Sequence, residues 1–445
     1  MPIELFTVGG YEEAGRNMSA INVDGEIVIL DMGWDLGKLL LLPQNTDTHK
    51  LTTGELIEKD VFPDDNFLIK YRSNVKAIIL SHAHLDHISA VPRMAPPYKN
   101  APVIGTPFTI EVLKTIIKDQ VGRIPNRLLT LNPGSKYEIS KNITLEFVYV
   151  THSTLQCVII ALHTPYGIIL YANDWKFDNY PVIGQKTDIK RLKQMGKEGV
   201  LGLISCCLNV EKEQKTHSEI IVTDMLKDIL FGVENTNNAI IATTFASKID
   251  RIKTLIQFAE RMGRKPILLG SSMEKYAKAA EACNLVDITS KAEIYARRAQ
   301  VNKILREVNN KRDEYLLIVT GHQGEQGAVL DRLSKKETPF TLQKNDQILF
   351  CSSIIPAPVN QANRAELENR LRRFRPRIFK DVHVSGHGSK EDHRDLMTMV
   401  KPQNFIPCHG SVKMLANSIS LAYDFDMKLG KDAHILQNGN RLPLE

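Results

Sequence analysis

The chain has 445 residues, 57 of them Lys or Arg against 51 Asp or Glu for a net charge of +6, and 43% are hydrophobic. That length is about three domains' worth of sequence, no apolar run nears the roughly 20 residues of a membrane span, and no charged, apolar, small-residue leader opens the chain, so a membrane or exported protein is not expected. Six cysteines, at 157, 206, 207, 283, 351 and 408, form no CxxC pair, which argues against a disulfide scaffold and for a reducing, cytoplasmic setting.

In chain order, IELFTV (3–8) reads as an opening strand and EIVIL (26–30) as another that ends at Asp31. VKAIIL (75–80) is short, apolar and β-branched, so it reads as a buried strand, and SHAHLDH, Ser81 to His87, starts where its carboxyl end emerges. In open α/β sheets ligands bind at that edge. His82 and His84, two apart, can project together, while Asp86 and His87 open the next helix and can aim at a neighbouring point. One turn therefore has donors for two metals. TPFTIEVLKTIIKDQ (106–120) reads as a helix started by a capping threonine and a proline.

The same pattern returns further on. TLEFVYV (144–150) runs into Thr151 and His152, GIILYAN (167–173) into Asp174, VHVS (382–385) into Gly386 and His387, and NFIPC (404–408) into His409 and Gly410. A single histidine is more often packed or exposed than ligating, but histidines and acids repeated at strand ends are what a two-metal centre needs. Imidazole nitrogen and carboxylate oxygen suit zinc, a catalytic site keeps a position for water, and one carboxylate, Asp174, can bridge two ions. Cys408, beside His409, reads as a small packed residue.

Donors split between 31–174 and 387–409 require the chain to leave one domain and return to it. The expected division is 1–205, 206–377 as an inserted domain, and 378–445. Within the insertion, NAIIATTF (238–245), KPILLGSS (265–272), YLLIVTGHQG (315–324) and DQILFCSS (346–353) read as buried strands with helices between, which argues a parallel sheet whose Gly-, Ser- and Thr-rich ends are expected to face the cleft between the domains. GHQGEQG (321–327) lacks the GK[ST] ending of a phosphate loop. RRFRPRIFK (372–380) carries five basic residues in nine, and ARRAQVNKILREVNNKRD (296–313) six more along a helical pattern; such stripes hold phosphates by counterion release, or serve as solvated faces.

HAHLDH (82–87), together with Asp31, His152 and Asp174, resembles the HxHxDH signature of the metallo-β-lactamase superfamily. SGHGS (385–389) and PCHG (407–410) resemble the two histidine motifs of its nucleic-acid-processing β-CASP branch. Within that branch, GGYEEAGRNMSAINVDGEIVILDMG (9–33), TTFASKIDRI (243–252) and SGHGSKEDHRDLM (385–397) resemble ribonuclease J, over nearly the whole chain, and the short length is similar to the archaeal form.

The resemblance implies an α/β fold, a metallo-β-lactamase αββα sandwich with an inserted β-CASP α/β domain. It implies two Zn2+ per subunit, with Mn2+ or Mg2+ as substitutes: one ion on His82, His84 and His152, the other on Asp86, His87 and His409, and Asp174 bridging. Asp31 would orient a ligating histidine, and His387, acting with Asp86 and Asp174, would stabilise the transition state or protonate the leaving oxygen at the scissile phosphate. The implied activity is 5′-to-3′ exoribonuclease action on single-stranded RNA, with internal cutting in many members, by a homodimer working beside other RNA-decay factors. A pocket for a 5′-monophosphate is expected from Ser247 and from the turn of Ser385, Gly388 and Ser389. Ser247 also reads as a simple helix N-cap.

One departure stands out. Ribonuclease J-like chains usually read SDSTN where this one reads SCCLN, Ser205 to Asn209, so Cys206 replaces an acid implied to support His387. Three other readings are a small-ester hydrolase of the same superfamily, which predicts no inserted domain; a β-CASP endonuclease of the cleavage-factor type; and a catalytically weak RNA-binding subunit, suggested only by Cys206.

Overall fold

The computed structural model describes residues 3–43, 46–355 and 357–444. They form two compact units: Met1–Asn179, Gln185–Thr216 and Gly386–Glu445 in the first, Tyr180–Gly184 and His217–Ser385 in the second.

The first unit is an αββα sandwich. Its seven-stranded sheet runs in the order Arg441–Pro443, Ile3–Gly9, Met18–Val23, Glu26–Leu30, Val75–Ile79, Val103–Gly105, Leu128–Thr130. Its six-stranded sheet runs Asn404–Cys408, Val200–Cys206, Gly167–Ala172, Val158–Thr164, Thr144–Tyr149, Lys136–Glu138. Strand Val158–Thr164 shows why its first five residues are all apolar. Val158, Ile160 and Leu162 join Ile21, Leu30 and Ile79 of the other sheet in one core, while Ile159 and Ala161 pack on the opposite face with Leu192, Met195, Leu396 and Ile419. With both faces covered, the period of two selects a face but never a polar residue.

Helix Pro107–Gln120 packs on the strands Val103–Gly105 and Leu128–Thr130. Thr106 is its N-cap residue and Pro107 its first helical residue, as expected, but the Thr106 hydroxyl pairs with Thr109 Oγ1 at 2.8 Å instead of capping a backbone N–H.

The second unit holds an all-parallel six-stranded sheet in the order Glu293–Tyr295, Lys265–Leu269, Tyr315–Val319, Ile240–Thr243, Gln347–Phe350, Arg377–Phe379. The four strands read from the sequence are all there, each shorter than its apolar run. Helix Arg298–Asn310 buries Val301, Ile304, Leu305 and Val308. The expected insertion, 206–377, and the compact unit differ at both ends. Strand Val200–Cys206 is held between Gly167–Ala172 and Asn404–Cys408, and the loop after it is tied back by Lys390 N–H to Lys212 O at 3.1 Å and Thr216 N–H to Asp392 Oδ2 at 2.8 Å. VHVS (382–385), expected as a strand, joins no ladder. Instead the His383 Nδ1 lies 3.0 Å from Arg251 Nη1. No helix among the described residues is long and apolar enough to cross a membrane.

Candidate metal centre

The first unit gathers its donors at strand ends. Asp31 follows Glu26–Leu30, Ser81 to His87 follow Val75–Ile79, Asp174 follows Gly167–Ala172, and His409 follows Asn404–Cys408. His152 follows Thr144–Tyr149 after a short extension. Helix Leu85–Ile88 then carries Asp86 and His87. Its approach depends on Gly33, where a Cβ would lie 1.7 Å from Asp86 O.

Two groups of donors result. In the first, His82 Nε2 and His152 Nε2 each lie 3.1 Å from His84 Nδ1, and Asp174 Oδ2 is 3.4 Å from His82 Nε2 and 3.3 Å from His152 Nε2. In the second, Asp86 Oδ2 is 3.4 Å from His87 Nε2 and 3.7 Å from His409 Nε2. Asp174 joins the two groups, its Oδ2 3.5 Å from His87 Nε2 and its Oδ1 3.5 Å from His409 Nε2.

The outer nitrogens explain the inner ones. Ser81 donates N–H and O–H to the two oxygens of Asp31 at 2.8 and 2.7 Å, so its hydroxyl oxygen is left to accept from His82 Nδ1 at 2.9 Å. His87 Nδ1 donates to Asp31 Oδ2 at 2.7 Å, His152 Nδ1 to Gly386 O at 2.7 Å, and His409 Nδ1 to Asn17 Oδ1 at 2.8 Å. Each bond puts the proton on Nδ1 and turns a bare Nε2 inward, the form a metal ligand takes. Sequence reasoning anticipated Asp31 but missed Ser81, Asn17 and the Gly386 carbonyl. Asn17 lay inside the quoted GGYEEAGRN stretch without a role; nothing in its local pattern marks it, since its partner is in His409.

Electrostatics point the same way for three of the histidines and the opposite way for His87. Burial pushes the pKa of His82, His84 and His152 down, which keeps them neutral. For His87 burial acts downward too, but the carboxylates of Asp86, Asp31 and Asp174 outweigh it and raise it well above the ordinary value. Asp174 is held well below the usual carboxylate range, against its own burial, by His387, His409 and His87. Its Oδ1 is nevertheless buried with no hydrogen-bond partner. Such an orphaned carboxylate oxygen costs on the order of 1–3 kcal/mol or more unless something cationic satisfies it. Donors 3.1–3.5 Å apart around Asp174 match tetrahedral bonds of about 2.0–2.1 Å, which place donors about 3.3 Å apart. These residues fit a divalent cation.

A third set lies alongside: Asp174, Cys206 and His387, whose donor atoms lie within 4.8 Å of one another. His387 Nδ1 is 3.6 Å from both Cys206 Sγ and Asp174 Oδ1. Burial pushes His387 down to about 3 and holds the Cys206 thiol well above its ordinary value, so both are neutral.

The residues expected at a phosphate pocket divide between the two units. Ser247 and Ser385 belong to the second unit, Gly388 and Ser389 to the first. Gly388 N–H donates to Trp175 O at 2.7 Å and Ser389 N–H to Asp392 Oδ2 at 3.0 Å, while the Ser389 side chain completes a capping box on helix Lys390–Val400. These backbone donors are already bonded within the chain, because the turn must also start a helix.

Three family models match the chain: "Beta-lactamase superfamily domain" over residues 63–177, "Ribonuclease J, beta-CASP domain" over 237–369, and "Zn-dependent metallo-hydrolase RNA specificity domain" over 372–436. Ribonuclease J of Methanocaldococcus jannaschii is 46% identical, covering 100% of this chain and 99% of its own length; that of Pyrococcus abyssi is 41% identical, covering 98% and 96%. The chain belongs to the ribonuclease J family. Ribonuclease J 1 of Streptococcus pyogenes is 29% identical, with 99% of this chain matched to 74% of the relative. Among solved structures, a protein of unknown function from Enterococcus faecalis superposes with a TM-score of 0.64 at 15% identity, covering 99% of both chains, a likeness of fold. As a member of the ribonuclease J family, the chain is a β-CASP metallo-hydrolase, and the histidine and aspartate groups above are ones that could hold a divalent metal ion.

Proposed function

We propose that this protein is a two-zinc ribonuclease that hydrolyses RNA phosphodiesters from the 5′ end, releasing nucleotides in the 5′-to-3′ direction. The observation that carries the reading is the pair of donor groups joined by one buried carboxylate, Asp174. His82, His84 and His152 would hold one ion, Asp86, His87 and His409 the other, with Asp174 shared; manganese accepts similar ligands. Two such cations supply a water acidified to near neutral pH and offset charge on the phosphoryl oxygens.

The chain's own residues do the rest. Asp31, Ser81, Asn17 and the Gly386 carbonyl fix the ring orientation of four histidines, so the centre needs little rearrangement when substrate arrives. His387, its side chain 23% exposed, is the residue with access to a phosphate beside the centre. Its Nδ1 faces the neutral Cys206 thiol, which also accepts from Leu208 N–H at 3.4 Å. A thiol proton directed at Nδ1 leaves the ring proton on Nε2, so His387 acts as a neutral hydrogen-bond donor to a phosphoryl or leaving oxygen. Donors of this kind contribute on the order of 100-fold or more.

The same reading places the protein in the cytoplasm, as a homodimer, where its six cysteines remain thiols. The test is one RNA labelled at its 5′ end, then at its 3′ end, incubated with the protein and with His82→Ala. Mononucleotides from the 5′ label and a shortening 3′-labelled ladder, both absent in the variant, are expected; discrete internal fragments would move the protein to the endonuclease reading. A 5′-monophosphate RNA should be cut faster than its 5′-hydroxyl or 5′-triphosphate forms. Equal rates would remove the terminal-phosphate pocket.

A further inference from the structure

The two donor groups meet at one oxygen of Asp174. Oδ2 lies within 3.5 Å of His82, His152 and His87 nitrogens. Oδ1, buried and without a hydrogen-bond partner, is 3.5 Å from His409 Nε2 and 3.6 Å from His387 Nδ1. That nitrogen is in turn 3.6 Å from Cys206 Sγ. A tetrahedral ion with bonds of about 2.3 Å to sulfur and about 2.0 Å to nitrogen holds those two donors about 3.5 Å apart. An Asp–His–Cys set at this spacing could therefore hold an ion of its own, with a soft donor that neither neighbouring group has. Asp174 and Cys206 are 4% and 3% exposed, so both come to it already desolvated.

We propose that Asp174, Cys206 and His387 form a third cation site, selective for thiophilic ions such as Cd2+, Co2+ or excess Zn2+, whose occupant withdraws His387 from the substrate and inhibits the enzyme. It rests on the reading of the adjacent donors as a two-metal hydrolytic centre, in which His387 works beside the phosphate. Binding replaces the S–H bond of Cys206 by an S–metal bond and releases one proton to solvent, with no change of oxidation state. Mg2+ and Mn2+, which favour oxygen donors, leave the thiol protonated and do not compete for the site. The site fills last. Asp31, Asp86 and Asp174 supply three negative charges against the four positive charges of two ions, and a third ion, bringing two positive charges for one new thiolate, adds to that excess.

Cobalt(II) titration of the full chain tests the site, because a thiolate ligand adds a near-ultraviolet charge-transfer band absent from nitrogen and oxygen coordination. The early equivalents should give visible bands alone, and the last should add the near-ultraviolet band. Cys206→Ser should keep the visible bands and lose the near-ultraviolet one, and Cys207→Ser should keep both. Should Cys206→Ser fail to take up the early equivalents, Cys206→Ala replaces it. A near-ultraviolet band that survives in the Cys206 variant, or none in the unaltered chain although the early equivalents bind, overturns the third site and leaves the two-metal reading standing. No cobalt uptake by the unaltered chain overturns both. In the manganese-loaded protein, half-inhibition of RNA cleavage should need at least tenfold more Cd2+ for Cys206→Ser than for the unaltered chain, each relative to its own rate; equal midpoints refute the proposal.

Discussion

Asp31 has φ of +58°, in the left-handed region that costs an ordinary residue roughly 1–2 kcal/mol. The conformation persists because its carboxylate takes bonds from Ser81 N–H, Ser81 O–H and His87 Nδ1, which places His82 and His87 through one acid. Asp31→Ala should therefore weaken divalent-metal affinity by ~10–100-fold with the ligands intact, as measured against a competing chelator. In the uninhibited enzyme Cys206 acts differently, through His387. Cys206→Asp should leave the ions of the two main donor groups in place and alter turnover, since a carboxylate accepts from Nδ1–H and stabilises a charged ring where the thiol leaves a neutral one. Metal analysis beside steady-state rates separates the two; loss of the first two equivalents of metal in that variant would contradict the assignment of Cys206 to His387. Gly33 and Gly386 belong to this scale as well. A Cβ at Gly386 would stand 2.6 Å from Ser153 Oγ, beside the carbonyl that holds His152.

At the scale of elements, helix Lys390–Val400 begins at the turn where a phosphate pocket was expected. Ser389 is 1% exposed, its hydroxyl 3.0 Å from Thr216 Oγ1, and its capping box with Asp392 closes the helix start. Ser389→Ala should cost about 1 kcal/mol, seen as a lower melting temperature, while the preference for a 5′-monophosphate end stays the same. A lost preference with unchanged stability would restore Ser389 to the substrate.

In the second unit, helix Ile249–Arg261 is pinned to helix Glu219–Gly232 by Arg251, 1% exposed, which meets both oxygens of Glu219 at 2.8 and 2.7 Å and donates to Cys351 O at 2.6 Å. Lys248 Nζ adds a second cation 3.1 Å from Glu219. Arg251→Met leaves that carboxylate short of a buried partner and should destabilise the protein by about 3–5 kcal/mol in denaturant unfolding. The Glu219→Gln, Arg251→Met double variant should recover part of that loss.

For the whole molecule, metal and fold are one equilibrium. Ions that bind the folded chain alone stabilise it by about 2.7 kcal/mol at a hundred times their dissociation constant, so a chelator should lower the calorimetric melting temperature and added zinc should restore it. An unchanged melting temperature would mean that the donor groups hold no ion. The sequence by itself determined the parallel sheet of the second unit, the placing of His82, His84, Asp86, His87, His152, Asp174 and His409 at strand ends, and most of the strands, though not the irregular VHVS (382–385). Those features are legible because an apolar run and the residue that ends it are neighbours in the chain. Tertiary structure alone decided which atoms meet. Asn17 holds His409 across 392 positions, Gly386 holds His152 across 234, and Cys206 faces His387 across 181. It also decided that Val200–Cys206 and the loop to Thr216 stay with the first unit, because strand pairing and loop-anchoring bonds to residues near 390 and 404 outweigh any local signal for a boundary. Hydrogen bonds and shared carboxylates join residues that no local periodicity relates, and so the proton positions that ready each histidine for a metal were written only in the folded chain.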